Sequence, residues 1–171
     1  MERVSFLKEK LGPLLFQFPS NFQATKENIK RLRQFGQFIR EHSRSHSCKF
    51  AKGHFAIEFR HESWFNEKVY QILKKYNLAL CWADTPCYPY EEIVTADYVY
   101  LRLHGHTELY ASKYTKKQLK DYVQKIKKLI QEGKVVYAYF DNDAFGHAIE
   151  NAIEMTDLIN KNLKKQGIRR V

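Results

Sequence analysis

Tyr98-Val99-Tyr100-Leu101-Arg102-Leu103-His104-Gly105 is an apolar and aromatic run that ends in charge. Four other segments share its form, an apolar or aromatic run ending in a charged or amide side chain. They are Leu14-Leu15-Phe16-Gln17-Phe18, Phe55-Ala56-Ile57-Glu58-Phe59-Arg60-His61, Leu78-Ala79-Leu80-Cys81-Trp82-Ala83-Asp84 and Val135-Val136-Tyr137-Ala138-Tyr139-Phe140-Asp141-Asn142-Asp143. Continuous apolar runs, rather than strict alternation, are the pattern of strands buried on both faces of a parallel sheet. Polar groups at their carboxyl ends are where such sheets place their sites.

Working outward, each run is followed by helical periodicity or by a breaker. Thr25 to His42 carries Ile29, Leu32, Phe35 and Ile39 on one face, and Asn66 to Tyr76 buries Val69, Ile72 and Leu73. Pro86 and Pro89 interrupt the chain after the third strand, so Tyr88 to Ala96 reads as a loop. Thr115 and Gln118 form a capping-box pattern ahead of a helix with Leu119, Tyr122, Val123, Ile126 and Ile130, and Gly133 ends it. A last helix is predicted over Ala144 to Leu163. Five strand-then-helix units with short connections imply an α/β fold with a parallel sheet and right-handed crossovers. The units suit either a five-stranded doubly wound sheet or five of the eight units of a TIM barrel, which takes roughly 250 residues when whole.

The 171 residues are enough for a domain with a real core, and 44% hydrophobic with 28% charged residues excludes a disordered chain. No apolar run approaches the ~18 residues of a membrane-spanning helix, so no membrane partner is expected. Met1 to Leu7 carries an acid and no long apolar stretch, unlike a signal peptide. Three cysteines (Cys48, Cys81 and Cys87) without close spacing argue against a disulfide framework or a zinc knuckle, and a cytoplasmic location is the expectation. The net charge is +10 and the pI about 9.4. That balance fits an anionic partner, either a small molecule or nucleic acid, although lysines such as Lys116, Lys117, Lys120 and Lys125 lie on outer helix faces.

The candidate site residues follow from strand ends and alternation. Glu58 and Arg60 share one side of their strand, as do Arg102 and His104. A guanidinium inside the run Val99 to Leu103 needs an acid or an anionic ligand, and Glu58 or Asp84 is the expected partner. Glu58, Asp84, His104 and Asp143 are the candidate catalytic groups. Gln17, Arg60, His61, Trp64, Arg102 and Asn142 are the candidate substrate-binding groups. Structural readings stand beside these: an ion pair for Glu58 and Arg60, a cap on the barrel for Trp64, and helix capping for Asn142 or Asp143. There is no phosphate-binding loop, dinucleotide fingerprint, His-Glu-x-x-His or nucleophile elbow, so no cofactor is expected. Acids and a histidine from separate strands leave a divalent metal open, without ligand spacing to support it.

In order and context, five stretches, Gly12 to Pro19, Ala56 to Phe65, Ala83-Asp84-Thr85-Pro86, Tyr98 to Gly105 and Tyr139-Phe140-Asp141-Asn142-Asp143, resemble the YecE-like family, catalogued as domain of unknown function 72. The resemblance implies a TIM-barrel-type fold and no known reaction. It decides between the two architectures in favour of five barrel units, with about three further units absent from the front. It therefore implies a single domain, residues 1–171, that is the C-terminal part of a YecE-like barrel. A separately encoded N-terminal half, or self-association, would then cover the open edges. It also places an Asn-rich strand end at positions 141–143. The family more often reads Phe-Asn-Asn-Asp where this chain has Phe140-Asp141-Asn142-Asp143. Residue types and barrel analogy favour acid/base hydrolysis of an anionic or sugar-phosphate-type substrate. A basic nucleic-acid-binding module and an inactive remnant are the rival readings.

Overall fold

The computed structural model describes residues 6–7, 10–43 and 54–164. Cys48 and the chain ends lie outside the described residues. In chain order the elements are β1 (Leu14–Gln17), α1 (Lys26–Ser43), β2 (Phe55–Glu58), α2 (Glu67–Tyr76), β3 (Ala79–Asp84), β4 (Tyr98–Leu103), α3 (Lys116–Gln131), β5 (Val135–Phe140) and α4 (His147–Lys164). The five strands form one parallel sheet in the order β1-β2-β3-β4-β5. Leu14 pairs with Phe55 and Gln17 with Glu58, and Ala56 pairs with Ala79. A doubly wound sheet reverses its strand order at a switch point. This sequential order has none, and it is that of consecutive TIM-barrel-type units.

The chain divides into two compact units. Unit 1 takes residues 1–82 and 88–100 and is organised around β1, β2, α1 and α2. Its core packs Leu32 and Ile39 of α1 and Val69, Ile72 and Leu73 of α2 with Phe55, Ile57, Phe59 and Leu80. Gly36 permits the close approach of the two helices, since a Cβ there would lie 2.5 Å from the Tyr76 ring. α2 has an Asn66 cap, whose side chain accepts from Val69 N–H at 3.1 Å, and ends on Asn77 in the left-handed region. The segment 88–96 is a loop, as its prolines predict, and it is tied down. Thr95 Oγ1 accepts from Leu80 N–H and donates to Leu78 C=O, both at 2.7 Å, while Trp82 Nε1 donates to Ile93 C=O at 3.1 Å.

Unit 2 takes residues 83–87 and 101–171. Its helices α3 and α4 pack on each other and on β5, with Leu119, Tyr122, Val123, Ile126 and Met155 buried. The capping box is present as predicted, with both Thr115 and Gln118 side chains engaged. α4 begins at His147, three residues later than the sequence suggests. Residues 143–146 form a turn instead, closed by Gly146 N–H donating to Asp143 C=O at 2.9 Å.

β2, β3 and β4 are buried along nearly their whole length, as their continuous apolar runs require. β1 and β5 stand at the two edges and are partly exposed. Phe16, Phe18 and Tyr137 are half-buried and Tyr139 is exposed. Cys81 is buried and Cys87 exposed, and neither is in a disulfide.

Candidate functional site

Each unit gathers its own set of polar strand-end residues. In unit 1, β2 ends on Glu58, which is fully buried. Arg60 Nε donates to Glu58 Oε1 at 2.7 Å, confirming that the two side chains share a side. Cys81 Sγ lies 3.8 Å from Oε2 of the same carboxylate. The Arg60 guanidinium sits over the Tyr88 ring at 4.4 Å from its centroid. A buried carboxylate is tolerated only when paired, and here Arg60 supplies an opposite charge.

His61 and Trp64 serve the turn that follows. Ser63 Oγ accepts from Ala24 N–H at 2.8 Å and lies 2.9 Å from His61 Nδ1, which also accepts from Ser63 N–H. Trp64 is buried, stacks on Phe59 with centroids 4.2 Å apart, and donates from Nε1 to Phe22 C=O at 2.6 Å. With Phe16, Phe18 and Phe35 it lines an apolar cavity of about 210 Å³. Gln17 is exposed at the end of β1.

Unit 2 holds the remaining predicted residues. The sequence reading expected Glu58 or Asp84 as the partner of Arg102, and the structure adds a third acid. Its guanidinium binds the carboxylate of Asp141, the first residue after β5. The backbone explains the meeting, since Asp141 N–H donates to Leu103 C=O at 2.9 Å and so aligns the ends of β4 and β5. His104 is fully buried, and its Nδ1 approaches the same Asp141 oxygen at 3.1 Å. Burial works against ionisation of Asp141. The His104 hydrogen bond and the Arg102 charge outweigh it and hold this carboxyl below the usual carboxylate range.

Asp84, the buried end of β3, meets a second histidine. His106 Nδ1 lies 3.1 and 3.3 Å from its two oxygens, while the His106 side chain is 51% exposed and that of Asp84 only 2%. An imidazole that donates from Nδ1 to a fixed carboxylate presents the Nε2 lone pair to solvent. The connection between His104 and His106 is fixed by Gly105, whose φ is +105° and where a Cβ would lie 2.3 Å from Glu108 C=O. Gly105 N–H donates to the buried Tyr114 hydroxyl at 3.0 Å, and the Tyr110 ring meets the His104 ring edge-on.

Asn142 is fully buried and does not cap α4. Its Nδ2 donates to Ser112 C=O and to Asn151 Oδ1, both at 3.0 Å. Asn151 in turn accepts from Tyr114 N–H at 2.9 Å and donates to Tyr114 C=O at 3.0 Å. Asp143 is exposed in the turn before α4. Reading the sequence alone placed Asp141 at a strand end without a role, and missed His106 and Asn151. His106 repeats the two-residue spacing of Arg102 and His104, which was the available signal. Asn151 carried none, because its partners lie 9 and 37 residues away. Among the described residues, no group of three or more His, Cys, Asp or Glu side chains is placed to hold a metal. No helix among them is long and apolar enough to cross a membrane.

Sequential β/α units with charged and amide groups at the strand ends define a TIM-barrel-type α/β protein. The family model described as "Protein of unknown function DUF72" matches residues 1–170, and the chain belongs to that family. It is 25% identical over 177 aligned residues to UPF0759 protein YunF of Bacillus subtilis, covering 88% of this chain and 58% of that protein. A solved structure of a DUF72 family protein from Thermotoga maritima is similar with a TM-score of 0.71 and 26% identity, over 95% of this chain and 64% of that one. Another, from Enterococcus faecalis, has a TM-score of 0.72 at 24% identity, over 93% and 66%, and shows likeness of fold. The chain thus spans between half and two thirds of the length of each of these relatives.

Proposed function

We propose that the strand ends of unit 2 carry out acid/base hydrolysis on an anionic or sugar-phosphate-type substrate. The observation that carries this reading is the Asp84–His106 pair, in which a buried carboxylate orients a half-exposed imidazole. His106 Nε2 takes a proton from water as the water oxygen attacks the phosphorus or anomeric carbon. The bond to the leaving oxygen breaks with its electron pair, and the imidazolium returns the proton to that oxygen. Asp84 fixes the ring and offsets the charge it gains. In the same unit, Asp141 links Arg102 and the buried His104, Asn142 holds the loop at Ser112, and Asp143 lies exposed in the turn before α4. Within unit 1, Glu58 holds the Arg60 guanidinium, a cation suited to an anionic group, and Gln17, His61 and Trp64 belong to the same unit. The net charge of +10 favours anionic substrates on encounter.

A panel of p-nitrophenyl phosphate mono- and diesters and p-nitrophenyl glycosides tests the reading. Turnover is expected for one class, with kcat/KM falling ~10²-fold or more in His106→Gln and ~10-fold or more in Asp84→Asn. Undiminished turnover in His106→Gln, or none by the wild-type chain on any class, overturns it.

A further inference from the structure

The outer face of unit 1 has a feature that hydrolysis does not use. α1 and α2 enclose a cleft of about 300 Å³ that runs into a shallower one of about 160 Å³, with Arg33 and Lys68 lining both. Lys26, Lys30 and Arg33 line it from α1, and Lys68 and Lys75 line it from α2. Their spacings, 26-30-33 and 68-75, put each set on one face of its helix. No carboxylate lines either part. The acids of these helices have their own partners: Glu27 meets Arg31 at 3.6 Å, Glu41 accepts from the Gln37 amide at 2.8 Å, and Glu67 meets Lys74 at 3.9 Å and accepts from the Gln71 amide. Among the described residues, none of the five cleft cations is in an ion pair.

Five like-charged side chains lining one cleft repel one another, and an anion bound among them relieves the repulsion. Each row of cations runs about 10 Å along its helix, and packed helix axes stand roughly 8–10 Å apart. One phosphate cannot reach both rows along that length. A strand with regularly spaced phosphates can. We infer that the α1–α2 cleft binds the phosphate backbone of a single-stranded nucleic acid, through charge and without reading base sequence. A concave cleft favours such a strand over a membrane surface, which presents its anions as a plane.

Fluorescence anisotropy with a labelled mixed-sequence oligonucleotide of about 15 nucleotides, titrated from 25 to 200 mM salt, tests this. The groove variant is Lys30→Glu/Arg33→Glu/Lys68→Glu. The control is Lys116→Glu/Lys117→Glu/Lys120→Glu on α3, with the same change in net charge. Wild-type binding should weaken steeply with salt. The groove variant should bind at least 10-fold more weakly, with the slope of log K against log salt reduced by about 2, since each phosphate neutralised on a single strand adds ~0.7 to that slope. The control should lose no more than about a third as much on the logarithmic scale. If the reversed charges unfold the protein by circular dichroism, Lys30→Gln/Arg33→Gln/Lys68→Gln replaces them, with the same ordering expected. Equal loss in groove and control variants, no binding by the wild type at 25 mM salt, or binding to anionic vesicles but not to the oligonucleotide overturns the inference.

Discussion

Replacing Asp141 with alanine should expose the central dependence of unit 2. The carboxylate serves both the Arg102 guanidinium and His104 Nδ1, and the side chains of Arg102 and Asp141 are 16% and 25% exposed. Breaking a fully buried pair by removing one partner costs ~3–5 kcal/mol, because the other charge is left unmatched. The partial exposure of both side chains reduces this, so about 2 kcal/mol is the expected loss for Asp141→Ala. In a chain of this size that is a fall of roughly 4–8 °C in Tm. Asp141→Asn keeps an acceptor and loses the charge, so about 1 kcal/mol is expected.

The pH dependence has a definite sign. The folded-state pKa of Asp141 is lowered. Its ionised form therefore stabilises the fold fully above the unfolded value, and this contribution is lost as pH falls through the folded value. The stability gap between wild type and Asp141→Asn should be constant from pH 7 to 5 and close below about pH 4. Urea unfolding followed by far-ultraviolet circular dichroism measures both. A double-mutant cycle with Arg102→Ala should give a coupling of about 1–2 kcal/mol. A loss below ~0.5 kcal/mol for Asp141→Ala, an additive cycle, or a gap that persists at low pH would refute the reasoning.

Gly105→Ala should destabilise the protein by about 2 kcal/mol or more, since both the positive φ and the Glu108 carbonyl oppose a side chain; a melting temperature within 1–2 °C of wild type would contradict this. Asn151→Ala leaves the backbone N–H and C=O of buried Tyr114 without their side-chain partner, and should cost about 2–3 kcal/mol in urea unfolding, against under ~1 kcal/mol for an exposed amide such as Gln124→Ala. Edge strand β5 exposes Val135 and Tyr139, and α4 exposes Ile149 (70%) and Ile153 (60%). We propose self-association through this face, with sedimentation velocity showing a concentration-dependent dimer that Ile149→Lys/Ile153→Lys abolishes. A monomer at all concentrations would count against it, and so would a dimer indifferent to the double substitution.

Much of this fold was legible because it is written locally. A strand buried on both faces reads as an unbroken apolar run, and β2, β3 and β4 are such runs. A capping box needs only Thr115 and Gln118 in the right places, and two prolines suffice to break the chain after β3. The same-side placement of Glu58 and Arg60 follows from the two-residue period of a strand.

The sequence by itself determined where strands, helices and polar strand ends fall, and that Arg102 needs an anionic partner, because periodicity, capping and desolvation act over a few residues. Which anion it meets was decided only by the tertiary structure. Asp141 lies 39 residues away and reaches Arg102 because the ends of β4 and β5 are aligned by the bond from Asp141 N–H to Leu103 C=O. The Asp84–His106 pair likewise spans 22 residues and depends on the turn that Gly105 permits. Strand register and the path of a loop set which side chains meet, and neither leaves a periodic trace in the residues that take part.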